Sequence, residues 1–305
     1  MDSLIATAQE LLQTAIAPST QNAYRRTWER FNDFAATVQL SVSLPLQAST
    51  VALFIADLVQ KGFKPATVAS HVSALSYFHK MNSLPDPTAA FFIQKMISSY
   101  QKRHPSLDAR LPIDKHILKN LVTALGHTCP SVRERMMFQA MYMLAFHAFL
   151  RIGEITVHSA TQQNPNLLGR HQLALKQSAM SVTFHQFKHS NGQRFTLDIQ
   201  EGTSGECPIQ AMRNYLHFRG NTPGPLFLKA PQVPVTRSAF NTQLRLTLAF
   251  GRYPVAEFTS HSFRIGAATT AAAQGMSDAQ IRQLGRWKSY AFKKYIRNSN
   301  RSSSL

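Results

Sequence analysis

The sequence predicts a mainly α-helical protein with a small antiparallel β-sheet, divided into two domains. Three observations predict it. The chain has 305 residues, and at about 150 residues per domain that length suggests two. Apolar residues recur at helical spacing through roughly the first third of the chain. In the remainder, Asn191-Gly192 separates two runs of strand character inside an otherwise helical pattern.

The amino-terminal domain, residues 1–102, reads as a bundle of four or five short helices. Ser3 to Ala17 has helical spacing, and Pro18-Ser19-Thr20 breaks it and can cap the next helix. Thr20 to Val38 puts Tyr24, Trp28, Phe31 and Phe34 on one stripe, with Arg25, Arg26 and Arg30 off it. A third helix covers Thr50 to Gln60 and ends at Gly62. A fourth follows Pro65 and carries Val68, Val72, Leu75 and Phe78, and a fifth runs from Ala89 to Lys102. Residues 103–111 are polar and contain a proline, as expected of a linker.

The second domain, residues 112–305, is mixed. Ile113 to Leu125 and Val132 to Leu150 read as helices, the latter apolar nearly all round and therefore buried. Met180 to Ser190 and Gln193 to Ile199 read as strands of a two-residue hairpin. Pro208 to Arg219, Thr236 to Phe250, Thr259 to Gln274, Ser277 to Leu284 and Ser289 to Asn298 read as further helices.

Composition excludes several classes. Apolar residues make up 44% of the chain, which rules out global disorder. The longest apolar run, Met136 to Leu150, is interrupted by Gln139 and His147 and falls short of the ~20 residues of a membrane span. Met-Asp-Ser-Leu is acidic where a secretory signal is basic, so secretion is not expected. Cys129 and Cys207 are far apart and each precedes a proline; they suggest neither a metal pair nor a disulfide framework. There is no phosphate-binding Gly-x-x-x-x-Gly-Lys-[Ser/Thr] loop and no acidic cluster for paired magnesium, so no cofactor is expected.

Lys and Arg number 33 against 15 Asp and Glu, a net charge of +18. The cations are spread along the chain, which points to one folded positive surface rather than a disordered arm. Nucleic acid is the commonest partner for such a surface, because each neutralised phosphate releases a counterion. From Ile281 to Leu305 there are seven Lys or Arg and no acid, so this end is expected to lie against the polyanion.

Four local constellations could carry chemistry. Arg151 follows the apolar helix; it either complements the carboxyl end of the helix dipole or presents a five-donor fork to a phosphate, with Glu154 orienting it. In a two-residue hairpin Lys188 would share the apolar face of Phe184, Phe195, Leu197 and Ile199, which suggests a phosphate contact or proton donor. Near the tip it could also simply reach solvent. His261 and Arg264 are three apart at a helix start and share a face, where unpaired N–H groups favour anions. Lastly, Lys293, Lys294 and Arg297 surround Tyr295, and a phenol among cations loses its proton more easily, as a nucleophile requires. Each has a plain structural reading: a dipole counter-charge, a surface lysine, a capped helix, an apolar stripe.

In order, Arg … Lys … His-x-x-Arg … Gly-x-Trp … Tyr resembles the tyrosine recombinase (phage-integrase-like) family over nearly the whole chain. Thr20-x-x-x-Tyr24 and the Thr67 to Leu75 helix look like its core-binding domain, and Gly-Arg-Trp-Lys-Ser … Tyr-Ile-Arg is similar to recombinases of eukaryotic retrotransposon and crypton-like mobile elements. The resemblance implies an amino-terminal core-binding domain that clamps double-stranded DNA, an α+β catalytic domain, and strand exchange through a 3′-phosphotyrosyl intermediate without metal or ATP. Arg151 matches the first arginine, Glu154 its supporting acid, Lys188 the donor to the leaving 5′ oxygen, His261 and Arg264 the His-x-x-Arg pair, and Tyr295 the nucleophile. The family's His or Trp position, counted from Gly285, falls on Arg286, with Trp287 one residue later; charge suits the first to phosphate binding and packing the second. Tyr290 is five residues from Gly285 where the family has ten, as Tyr295 does. DNA contacts are expected from Arg25, Arg26, Arg30, Lys293, Lys294 and Arg297. The resemblance also implies homodimers or homotetramers on DNA, no membrane association, and a nuclear location in a eukaryote or a cytoplasmic or nucleoid one otherwise. Two rival readings are a type IB topoisomerase-like nicking and closing enzyme and a domesticated DNA-binding protein without catalysis.

Overall fold

The computed structural model describes residues 1–105, 108–161, 164–187, 190, 192–201 and 207–297. The chain divides into two compact units, Met1–Asp108 and Ala109–Leu305.

The first unit holds α1 (Asp2–Thr14), α2 (Pro18–Thr37), α3 (Ala48–Gln60), α4 (Pro65–Met81) and α5 (Phe91–Arg103). The expected stripes supply its core: Phe31 and Phe34 from α2, Phe54, Ile55 and Leu58 from α3, Val68 and Leu75 from α4, and Ile93 from α5. Phe31 and Phe54 meet edge to face at 5.2 Å, and each fully buried ring contributes roughly 1.5–3 kcal/mol. Two details differ from the sequence reading. Pro18 itself occupies the first turn of α2, with Ala17 at the cap and no side-chain cap bond, so Ser19 and Thr20 lie inside the helix. Proline suits that turn because its missing N–H has no helical partner there. And α1, although helical, contributes no buried residue to the bundle.

The second unit is built on α7 (Val132–His147), whose Met137, Phe138 and Ala140 to Phe146 are all buried. Packed with it in one core are α6 (Lys115–Thr128), α8 (Pro208–Arg219), α9 (Arg237–Phe250) and α10 (Ser262–Ala273), with α11 (Asp278–Leu284) after them. Side-chain caps start several of these helices: Asp114 accepts from the Ile117 N–H at 2.8 Å and Thr236 from the Ala239 N–H at 3.1 Å. The sheet has antiparallel order β1-β2-β3, from Leu173–Leu175, Ala179–Phe184 and Phe195–Gln200. A short pair, β4 (Leu228–Ala230) and β5 (Val233–Pro234), went unrecognised among the prolines of that region.

The expected register is corrected: Phe184 pairs with Phe195 at the end of the ladder, where a two-residue turn at Asn191-Gly192 would set it opposite Ile199. Just past the ladder Phe187 is partly buried against the core, its ring 6.5 Å from that of Phe195. The register moves by an even number, so Phe184, Leu197 and Ile199 keep their buried face. Lys188, with His189 and Asn191, lies outside the described residues.

The last expected helix, Ser289 to Asn298, is a 3₁₀ segment, Tyr290–Tyr295. Three residues per turn align positions i and i+3, so fully buried Phe292 carries half-buried Tyr295 in with it.

Candidate active site

Three backbone devices converge at one end of α7. After His147 the chain enters a left-handed residue, Phe149 (φ 49°), and a 3₁₀ turn, Ile152–Glu154. The start of α10 is pressed against the backbone of Ile113, whose N–H donates to the Ser262 carbonyl at 3.0 Å. Gly266 permits this: a Cβ there would stand 1.7 Å from the Ile113 oxygen. After α11, the Trp287 ring folds back over Gly285, where a Cβ would lie 1.6 Å from the indole, and Arg286 is left-handed (φ 55°). Non-glycine residues in that region cost about 1–3 kcal/mol and persist where their surroundings hold them.

Arg264 is fully buried. One Nη donates to the Phe149 carbonyl and the other to the Gly285 carbonyl, while its buried Nε has no partner. The Trp287 ring covers the guanidinium at 4.1 Å and the Tyr295 ring lies at 5.9 Å, a cation–π arrangement worth about 2 kcal/mol when desolvated. Burial, and then the charges of Arg151 and Arg286, lower its pKa. Both Nη groups are thus taken by carbonyls just beyond the carboxyl ends of α7 and α11.

Tyr295 is held from several sides. Its ring is 4.9 Å from that of His261 and 5.1 Å from Trp287. Thr269, two turns along α10, donates to the Tyr295 carbonyl at 3.2 Å and accepts from the Arg297 N–H at 3.1 Å, clamping the 3₁₀ segment to α10. No sequence signal singled out Thr269, because a threonine in an alanine-rich helix marks nothing by itself.

Arg151 and Glu154 form a reciprocal pair. The Arg151 N–H donates to Glu154 Oε2 at 2.9 Å, and its Nη1 lies 3.5 Å from Oε1. The Glu154 side chain is 4% exposed and that of Arg151 27%, so of Arg151, Arg264 and Arg286 only the first reaches solvent appreciably. Arg286, expected as a charge contact to phosphate, instead points inward. It donates to Glu154 Oε2 at 2.8 Å and to the Ala148 carbonyl at 3.3 Å, and lies 3.8 Å above the Phe184 ring. Three guanidiniums thus surround one buried carboxylate, and a net positive charge is left over. Such a surplus in a low-dielectric setting is a receptor for an anion.

The remaining candidates lie elsewhere. Tyr290 is 62% exposed and its ring contacts run to Arg282 and Lys293. Lys293 also pairs with Asp278 at 3.0 Å. Lys294 is exposed, and an Arg297 Nη donates to its carbonyl. On α2, Arg26 is exposed, Arg25 lies 4.0 Å from Glu29, and Arg30 sits 4.6 Å over the Phe63 ring. Among the described residues no group of three His, Cys, Asp or Glu is placed to hold a metal, and no helix is long and apolar enough to cross a membrane.

Comparison with known proteins agrees with this architecture. Residues 9–82 match the family described as phage integrase, N-terminal SAM-like domain. No curated protein matches the chain in sequence. Among solved structures, the Tn1549 transposon integrase in complex with circular intermediate DNA matches with a TM-score of 0.62 at 13% identity, covering 96% of this chain and 94% of that one. A lambda integrase dimer bound to a COC′ core site gives 0.62 at 14% identity over 100% and 79%. The XerH site-specific recombinase bound to palindromic difH substrate gives 0.60 at 12% over 92% and 77%. Residues 9–82 are therefore similar to the phage-integrase SAM-like domain, and the chain as a whole shares the fold of these solved integrase and recombinase structures.

Proposed function

We propose that this chain is a site-specific DNA recombinase that cuts and rejoins strands through Tyr295. The single observation that carries the reading is that Tyr295 lies against His261 and above a fully buried arginine. A structural tyrosine does not need a desolvated cation beneath it, whereas a nucleophile facing a phosphate does. The similar solved structures include DNA complexes, which supports DNA as the substrate.

The step balances without a cofactor. The Tyr295 oxygen attacks the scissile phosphorus as its phenolic proton passes to the neighbouring His261, a Tyr–O–P bond forms, and the P–O5′ bond breaks. The leaving 5′ oxygen takes a proton from Lys188, an assignment that rests on the sequence. The phosphodiester energy is retained in the 3′-phosphotyrosyl bond, and a 5′ hydroxyl from a partner strand reverses the reaction. The transition state gains negative charge on the non-bridging oxygens. Arg151 meets it from the exposed side with its fork, His261 from beside the tyrosine, and fully buried Arg264 from below through its charge. Fixed donors of this kind are worth ~3–4 kcal/mol each. The exposed cations of α2 and of residues 293–297 hold the DNA backbone, and two or four copies assemble on the paired sites.

A nicked suicide substrate, from which the cleaved 5′ fragment diffuses away, tests the reading. Wild type leaves a covalent protein–DNA adduct and Tyr295→Phe leaves none. No adduct from wild type, or an equal amount from the variant, defeats the assignment.

A further inference from the structure

We infer that Arg286 is a positioning residue: it never touches DNA, and it sets the reactivity of Arg151 by fixing the carboxylate of Glu154. The inference rests on the phosphotyrosyl reading above and deepens it.

The Arg286 side chain is 1% exposed and stacked on Phe184, and its Nη donors go to Glu154 and to the α7 carboxyl end. Its remaining donor, Nε, is buried without a partner, so no polar edge of Arg286 reaches the solvent side from which a ligand would come. What it does touch has consequences. Glu154 Oε2 receives two donors, the Arg286 Nη2 at 2.8 Å and the Arg151 N–H at 2.9 Å. With Oε2 occupied, only Oε1 faces the Arg151 guanidinium, and at 3.5 Å that contact is long. Arg151 is thereby steered without being captured, and its other donors stay available for a phosphate. A carboxylate with both oxygens free would take the same guanidinium in a tight two-point grip. Glu154 is too buried to be satisfied by water instead. Arg286 also shares the Phe149 carbonyl with Arg264, at 3.5 Å, so one residue ties the carboxylate beside Arg151 and the buried Arg264 to one backbone turn. The left-handed backbone at Arg286 is what directs the side chain inward.

The test is a double-substitution cycle with Arg286→Met and Glu154→Gln. It is read as the single-turnover rate of adduct formation on the suicide substrate, beside the Kd for intact DNA. Arg286→Met is expected to slow adduct formation ten-fold or more and to change the Kd less than two-fold. In the Glu154→Gln background the same change is expected to cost less than three-fold, because the carboxylate it restrains is gone. Arg286→Lys, which keeps one donor to Glu154, recovers part of the rate and serves in the cycle if the methionine variant does not fold. An equal loss in both backgrounds, a Kd that rises in step with the lost rate, or wild-type rates from Arg286→Met would each overturn the inference while leaving the wild-type adduct intact. Absence of the wild-type adduct would remove the phosphotyrosyl reading and this inference with it.

Discussion

The two units of this protein use arginine in opposite ways. On α2, Arg25, Arg26 and Arg30 stand on the outside of a helix whose other face is an aromatic core, and they meet solvent, a glutamate and the face of Phe63. Around α7 and α10, Arg264 and Arg286 are buried and each is anchored on backbone carbonyls. An exposed guanidinium is screened by salt and adapts to whatever phosphate approaches. A buried one is fixed before DNA arrives, so it costs little reorganisation when charge develops in the transition state. Under the proposed function, the first kind would govern how tightly DNA is held and the second how fast it is cut.

The largest effect should come from the buried side. Arg264→Lys keeps the charge but loses the two carbonyl anchors and the planar stack under Trp287, and a lysine cannot restore that geometry. The rate of adduct formation is expected to fall by about 10²–10³-fold, while the DNA dissociation constant moves by less than a factor of three. A Kd that rises in parallel with the lost rate would show that the buried cation is a docking contact and erase the contrast. Exposed cations should give the mirror image. Replacing Arg25, Arg26 and Arg30 together with Gln should weaken DNA binding and reduce the slope of log K against log salt by about 2, near one unit per phosphate contact with Arg25 tied to Glu29. Cleavage at saturating DNA should be unchanged; an unaltered salt slope would remove these residues from the interface.

The smallest effect concerns stability. Burial, and then the nearby charge of Lys115, push the His147 pKa down to about 4 at the end of α7. The unfolded chain binds this proton below about 6.5, whereas the folded one resists it, so stability is lost as pH falls from 6.5 towards 4. The melting temperature of the full chain should decline over that interval, and His147→Gln should shallow the decline. An identical pH profile for the variant would place the acid sensitivity elsewhere.

Much of this architecture is legible in the sequence because it is local. The stripe of Trp28, Phe31 and Phe34, the proline at the start of α8 and the threonine cap of α9 depend on residues a few positions apart. The approach of Arg151, His261, Arg264 and Tyr295 was reached by another route, the ordered motif, since no local rule brings residues 151 and 295 together. What stayed hidden depends on distant partners. The register of β2 on β3 differs from the one an Asn191-Gly192 turn predicts, and Phe187, just past the ladder, packs against the core. The inward path of Arg286 depends on a left-handed backbone beside Trp287 and on a carboxylate more than a hundred residues earlier. The closing segment winds as a 3₁₀ helix because Phe292 is buried and Thr269 grips the chain around Tyr295.

The most direct measurement is to digest the adduct trapped on the suicide substrate and identify by mass spectrometry the peptide that carries the nucleotide. The account expects the 3′-phosphate on the peptide containing Tyr295, at that residue. DNA on Tyr290, whose ring lies among Arg282 and Lys293 outside the buried arginines, or on any other residue, would contradict it.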